Sequence, residues 1–345
     1  MVLPDKRDPP AAIEVRGVVI SPPLALAPMV GLSHSALRRL IVEIGGIGLL
    51  FTEMLSVGRL PDESILSPFL VRSESERPLF YQIFAGPKQN VLPAVDRIHR
   101  LDGQGIDINL GCPAPNLRKI GAGCAMTRDL KATASLIRTV RQATELPLSA
   151  KIRLGAELDT KPLTALVQML ESEGVDLITV HGRLDGEKFC RKPRWHLIRV
   201  VKEAVGVPVL ANGSVFDAAD ARRCLEDSCA DGLMIGRGAV RKPWLFAEIA
   251  SSLYGLDVPV TIEPEKIYLR FIELLKESFA PERRLGRLKQ FTHYFGENFQ
   301  FGHQLAMSVQ RCDSVSSAEE AAAKFFLSVN SVVSPSLNRE SDDTP

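Results

Sequence analysis

At 345 residues the chain is long enough for two domains of ~150 residues, or for one α/β barrel of roughly 250 residues with a smaller appendage. Its 45% hydrophobic and 24% charged residues are ordinary for a globular protein and exclude wholesale disorder and a collagenous chain. With 42 Lys+Arg against 41 Asp+Glu, the net charge of +1 gives no global attraction to nucleic acid, so any polyanion contact must come from local basic groups.

The first stretch, Met1 to Pro10, lacks the apolar core of a signal peptide, which predicts a cytoplasmic location. The long uncharged run from Gly17 to Leu37 is interrupted by Pro22, Pro23, Pro28, Ser33 and His34, so no membrane span is expected there. Short apolar or β-branched runs then recur at Leu24–Ala27, Leu49–Met54, Leu79–Phe84, Ile106–Leu110, Leu148–Arg153, Leu177–His181, Pro208–Ala211 and Gly232–Ile235. Between them lie segments of helical spacing, among them Ser35–Ile44, Gln89–Leu101, Leu130–Thr144, Pro162–Glu173 and Ala218–Leu225. The repeat is close to the ~30 residues of a βα unit, and strand alternating with helix through eight strands predicts an α/β fold, a (β/α)8 TIM barrel, over residues 1–255. An open doubly wound sheet would show a Gly-x-Gly-x-x-Gly turn after its first strand, where this chain has Ala27-Pro28-Met29-Val30-Gly31.

After Asp257-Val258-Pro259 the pattern changes to helix without strand, which predicts a small helical domain over 256–332 and a disordered tail over 333–345. Within it, Lys266 to Arg311 carries eight basic and four acidic residues, with Arg283, Arg284, Arg287 and Lys289 close together. Two readings stay open for that cluster: a solvated helix face, or a phosphate-contacting surface.

Barrel chemistry sits at the C-terminal ends of the strands, and here those ends are polar: Thr52-Glu53, Gln82, Asp107 to Pro113, Lys151 to Arg153, His181 to Arg183, Asn212 to Ser214 and Gly236 to Gly238. Converging polar ends need a polar ligand to satisfy them. The glycine turns Asn212-Gly213 and Gly236-Arg237-Gly238 end strands seven and eight, where barrel enzymes hold a phosphate, and Lys151 and His181 could supply donors to the rest of a phosphate-bearing cofactor. Cys112, in a Gly-Cys-Pro turn after strand four, would stand at the mouth as a proton donor or nucleophile, while Cys124 reads as a packing residue. Six cysteines without a CxxC pair or an accompanying His spacing predict neither a metal site nor a disulfide framework.

In these residues the chain resembles the tRNA-dihydrouridine synthases. The resemblance runs over about residues 20–250, through Ala27-Pro28-Met29, Thr52-Glu53-Met54, Gln82, Asp107-Ile-Asn-Leu-Gly-Cys-Pro113, Gly121-Ala-Gly123, Lys151-Ile-Arg-Leu-Gly155, His181-Gly-Arg183, Asn212-Gly213, Met234 to Gly238 and Pro243-Trp244. It implies an FMN-dependent oxidoreductase using NADPH or NADH, with Ala27, Pro28, Met29, Gln82, Lys151, His181, Asn212, Gly213, Ser214, Gly236 and Arg237 around the FMN. It further implies that reduced flavin delivers hydride to C6 of a uracil while Cys112 protonates C5, and that Asn109 and Arg153 hold the base. The implied partner is tRNA, bound in part by the helical domain; no stable protein partner is expected, and the chain is expected to act as a monomer. The chain departs from the family where Ser214 replaces a common Asp, and where Leu184, Glu187 and Phe189 stand in place of Thr, Gln and Tyr. Two other functions share parts of the pattern. A flavin barrel reducing a free pyrimidine or small enone would have little use for a basic helical domain, and a non-catalytic RNA-binding descendant could dispense with Cys112.

Overall fold

In the computed structural model, residues 10–258 and 262–332 are described. The chain divides into two compact units, residues 1–261 and 262–345. The expected tail over 333–345, Pro259 of the expected joint and residues 1–9 of the expected leaderless start lie outside the described residues.

The first unit opens with an antiparallel hairpin, β1 (Ile13–Val15) and β2 (Val18–Ile20), in which Ile13 faces Ile20 and Val15 faces Val18. Its two-residue turn has positive φ at both Arg16 (45°) and Gly17 (82°), the pattern of a type I′ turn, whose twist matches that of the strands it joins. Sequence reading assigns no strand here, because arginine is not one of the Asn, Asp or Gly residues that advertise such a turn. The barrel follows: β3 (Leu24–Leu26), β4 (Leu50–Phe51), β5 (Leu55–Ser56), β6 (Leu79–Phe84), β7 (Gly105–Leu110), β8 (Leu148–Arg153), β9 (Leu177–His181), β10 (Val209–Asn212) and β11 (Gly232–Ile235). Its strands are parallel and neighbour one another in the order β3, β11, β10, β9, β8, β7, β6, β4, with β5 on the far end of β6. A parallel bridge between Ala25 and Leu49, with the Leu26 N–H 3.0 Å from the Leu49 carbonyl, joins the two ends of that order. Helices lie between the strands, so the expected (β/α)8 barrel with further C-terminal helices is the observed fold.

One expected strand divides. The run Leu49–Met54 forms β4 over only Leu50–Phe51, and pairing on β6 resumes at β5. The reason is Thr52, whose Oγ1 accepts the Gln82 N–H at 3.1 Å and donates to the Glu53 carbonyl at 2.8 Å, so that a side chain takes over the ladder.

The barrel floor is apolar. Ala25, Ala27, Leu49, Phe51, Phe80, Leu177, Leu210 and Met234 pack with Ile13, Val15 and Ile20 of the hairpin into one buried cluster.

The second unit has helices Pro264–Ser278, Arg284–Phe295, Gly302–Arg311 and Val315–Val332. Sequence reading runs one helix from Arg283 to Phe299 and assigns nothing to Gly302–Arg311; there Leu305 and Val309 are the buried side chains of one narrow row, too little periodicity to stand out. The unit's core is aromatic: Phe271 stacks on Phe291 at 3.8 Å, and the Tyr268 hydroxyl lies 2.6 Å from Thr292 Oγ1. Among the described residues, no helix is long and apolar enough to cross a membrane.

Candidate active site at the barrel mouth

Strand parity builds the site. Side chains alternate faces along a strand, so two residues beyond the floor residues Phe80, Leu177, Leu210 and Met234 the inward positions become Gln82, Thr179, Asn212 and Gly236. Parallel register sets Gln82 beside Asp107, Asp107 beside Ser149, Asn109 beside Lys151, Arg153 beside His181 and His181 beside Asn212. An inner lining that is apolar below therefore turns polar toward the strand ends.

At the ends of β10 and β11, Gly213 to Phe216 and Met234 to Gly238 line a small pocket of about 20 Å³. Gly213 has φ of 129°, which favours glycine, and a Cβ there would meet His181 Cδ2 at 3.0 Å. A Cβ on Gly236 would meet Met29 Sδ at 3.3 Å and Ala27 Cβ at 3.5 Å, so the Ala27-Pro28-Met29 turn lies against this pocket. The Arg237 guanidinium lies 4.6 Å from the Phe189 ring centre and 5.7 Å from that of Phe216, and forms no hydrogen bond or ion pair among the described residues. Arg183 is 1% exposed, yet its partners are neutral: His181 Nε2 at 3.0 Å, Ser214 Oγ at 2.8 Å and the carbonyls of Phe189 and Arg191. Burial, then repulsion from Arg237 and Arg153, pushes the Arg183 guanidinium down to about 10. Burial and the surrounding Lys151, Arg153, Arg183 and Arg237 hold the His181 ring far below its ordinary value, and hence neutral. Since a guanidinium only donates, Nε2 of that neutral ring accepts and Nδ1 carries the proton. Glu187, one of two acids in the same loop, is taken up by Arg194 at 2.8 and 2.9 Å, which with the Leu184 N–H brings its carboxyl down to about 2.

Lys151 bridges to the middle of the mouth. Its Nζ donates to Asn212 Oδ1 at 3.1 Å, and Asn212 Nδ2 donates to the Met234 carbonyl at 2.7 Å. Burial lowers the ammonium to about 8 against the pull of Asp107.

The ends of β6 and β7 carry a different arrangement. Asp107, fully buried, accepts from Gln82 Nε2 on one oxygen and from Ser149 Oγ on the other, both at 2.6 Å. Gln82 Oε1 accepts from Asn109 Nδ2 at 2.9 Å, and Asn109 Oδ1 accepts from the N–H of Cys112 at 3.0 Å and of Gly111 at 3.3 Å. Burial raises Asp107 to about 6, opposed by those hydrogen bonds and by Lys151. Behind Cys112, its carbonyl accepts the Cys124 N–H at 3.1 Å, and a Cβ on Gly123 (φ 62°) would meet that carbonyl at 2.3 Å. The Gly121-Ala-Gly123 motif thus backs the cysteine turn. Cys112 is partly exposed, while Cys124 is 1% exposed in the packing. Arg153 Nη1 donates to the Leu184 and Glu187 carbonyls at 2.9 and 3.3 Å.

The expected site residues therefore stand at the C-terminal ends of the strands, most of them in two groups with a bridge between, and with Arg153 bonded to the loop after β9. Ala27, Met29, His181, Gly213, Ser214, Gly236 and Arg237 gather at the glycine turns; Gln82, Asn109 and Cys112 form the second group, and Lys151 and Asn212 join one another between them. Sequence reading gave no role to Asp107, Arg183 or Phe189. An inward parity with a chain of amides beyond it marks Asp107; the other two depend on the fold of the loop after β9, which has no periodic signal.

In the second unit the basic cluster splits. Arg284 donates to the Phe279 and Lys276 carbonyls at 2.6 and 2.9 Å, capping the end of the preceding helix, and Arg287 stacks 4.4 Å from the Phe279 ring while donating to the Arg283 carbonyl at 2.7 Å. Arg283 is exposed and Lys289 partly so.

Residues 25–329 match the family model described as dihydrouridine synthase (Dus), a match that runs through both compact units. The chain is 34% identical over 249 residues to a probable tRNA-dihydrouridine synthase of Rhodobacter capsulatus, covering 72% of this chain and 76% of that protein. It is 32% identical over 244 residues to tRNA-dihydrouridine synthase B of Pseudomonas aeruginosa, covering 70% and 73%. A probable tRNA-dihydrouridine synthase of Rickettsia typhi is 28% identical over 322 residues, 92% of this chain and 98% of its own. Among solved structures, a 2-naphthoyl-CoA reductase in complex with 2-naphthoyl-CoA superposes with a TM-score of 0.53 at 10% identity, over 72% of this chain and 52% of that one. The chain thus spans about half the length of that reductase, and the likeness is one of fold.

Proposed function

On the premise that the chain belongs to the dihydrouridine synthase family, oxidoreductases that reduce uridine in tRNA, we propose that its barrel mouth holds FMN at the ends of β10 and β11 and presents uracil to Cys112. The observation that carries this reading is charge weakly compensated: among the described residues Arg237 forms no hydrogen bond or ion pair and the buried Arg183 hydrogen-bonds only neutral groups, so a phosphate dianion in the glycine-lined pocket would relieve their mutual repulsion.

In this reading Gly213, Ser214, Gly236 and Arg237 hold the phosphate, while Ala27, Pro28, Met29, Gln82, Lys151, His181 and Asn212 surround the rest of the cofactor. A bound and reduced flavin, recharged by NADPH or NADH, supplies hydride for C6 of the uracil. Lys151 Nζ and the His181 Nδ1–H are donors toward the ring system. Gln82 keeps one amide hydrogen and one lone pair beyond those used by Asp107 and Asn109, enough for a ring contact. Cys112 holds the proton for C5, where an enolate formed by hydride addition at the β carbon needs an acid. Asn109 and the uncommitted nitrogens of Arg153 hold the base carbonyls, and the base must leave the tRNA fold to reach them. Arg283 and Lys289 supply phosphate contacts. The chain acts as a monomer in the cytoplasm.

The test incubates the purified protein with FMN, NADPH and unmodified tRNA transcripts, and separately with free uridine, with dihydrouridine read by mass spectrometry. Dihydrouridine is expected in tRNA only. Its absence from tRNA, or equal reduction of free uridine, would refute the reading.

A further inference from the structure

The polar chain from Asp107 to Cys112 has one possible direction. A carboxylate only accepts, and backbone N–H groups only donate. Between these ends stand two amides, Gln82 and Asn109, each of which could in principle be turned over. With Asp107 accepting at one end, Gln82 must present its NH2 there and its carbonyl to Asn109; Asn109 must then present its NH2 to Gln82 and its carbonyl to the Gly111 and Cys112 N–H groups. The opposite end demands the same order, so both ends fix one orientation.

Burying a carboxylate in the barrel is costly, and the floor shows that this interior can be filled by apolar side chains. Ser149 occupies the second oxygen, leaving the first to Gln82. The chain then ends on the backbone of the residue read above as the acid.

Resting on that reading of Cys112, we propose that Asp107 is a positioning residue, which through Gln82 and Asn109 fixes the Gly111-Cys112 turn and so the direction in which the Cys112 thiol is presented. What the relay needs from position 107 is an acceptor aimed at Gln82. Asn can supply it, with its amide donating to Ser149 Oγ, whereas Leu fills the space and accepts nothing.

The experiment uses the full-length, flavin-loaded protein and measures alkylation of Cys112 by iodoacetamide relative to the exposed Cys190 by peptide mass spectrometry, together with kcat and KM for tRNA reduction. Asp107→Leu is expected to shift the Cys112 to Cys190 ratio by about fivefold or more, the scale of one lost hydrogen bond, and to lower kcat by a larger factor than it raises KM for tRNA. Asp107→Asn is expected to stay within about twofold of wild type in both. Gln82→Met should shift the ratio as Asp107→Leu does, and the two together no further, because they cut one chain. A wild-type ratio in folded Asp107→Leu or Gln82→Met, or an Asp107→Asn shift as large as that of Leu, overturns the proposal; should Asp107→Leu not fold, the other two variants decide. The alkylation ratios stand apart from the acid assignment, which fails separately if Cys112→Ala still reduces uridine.

Discussion

At the ends of β9 to β11 Arg237 rests on aromatic rings and Arg183 on neutral acceptors, whereas at the ends of β6 and β7 each polar group from Asp107 to the Cys112 N–H meets a partner of complementary polarity. The first region, on the proposed reading, is completed by an anion; the second has its internal hydrogen bonds complete and offers only the leftover valences of Gln82 and Asn109 to a ligand. Cationic binding and the fixed hydrogen-bond chain thus lie on different strand ends of one mouth, and mutations on the two sides should have different signatures.

The largest effect is expected from Cys112→Ala, which should cut uridine reduction by about a hundredfold to ten-thousandfold, the usual loss for a general acid, while flavin content and its reduction by NADPH stay intact. Activity that survives Cys112→Ala but not Cys124→Ala would move the chemistry to the other cysteine. On the opposite side, Arg237→Ala should weaken FMN retention by about 1.5–3 kcal/mol, one charge-assisted contact, seen as loss of flavin absorbance on gel filtration. A colourless wild-type protein that takes up no added FMN would remove the basis for the comparison.

Asp107 gives a pH signature opposite in sign to that of the neutral His181 on the cationic side. Its folded value of about 6 lies above the ordinary carboxyl value of 3.8, so between those values the native state binds more protons than the unfolded chain and stability falls as pH rises. From pH 4 to pH 6.5 the wild type should lose on the order of 2 kcal/mol relative to Asp107→Asn, measured by urea unfolding. Parallel pH profiles would show that Asp107 carries no such shift. The smallest effect belongs to the second unit: Arg283→Ala with Lys289→Ala should lower the salt slope of tRNA binding by about one to two and leave NADPH-driven flavin reduction unchanged. Arg284→Ala, by contrast, should cost stability through the lost cap, with little change in the slope.

The eight strands were legible because strands of a parallel barrel are buried on both faces and read as short apolar runs. The mouth was legible because Gln82, Asn109, Lys151, His181 and Asn212 interrupt or end those runs with polar side chains. What the sequence hid was partnership. Asp107 meets residues 25 and 42 positions away, a separation no local pattern encodes. Arg283, Arg284, Arg287 and Lys289 read as one basic face, although two of the four spend their guanidinium groups on backbone carbonyls. The hairpin was missed for a local reason, an arginine at positive φ, and the divided second strand because a threonine hydroxyl replaces a main-chain partner.

That hairpin has a consequence for how the chain is made. Ile13, Val15 and Ile20 share one buried cluster with residues as distant as Leu210 and Met234, so the hairpin's cover is incomplete until the last barrel strand has been synthesised. Nascent chains halted before β11 should therefore expose these side chains and bind chaperones that capture apolar segments. Release from them, followed through a series of stalled lengths, should coincide with the emergence of residues 232–235.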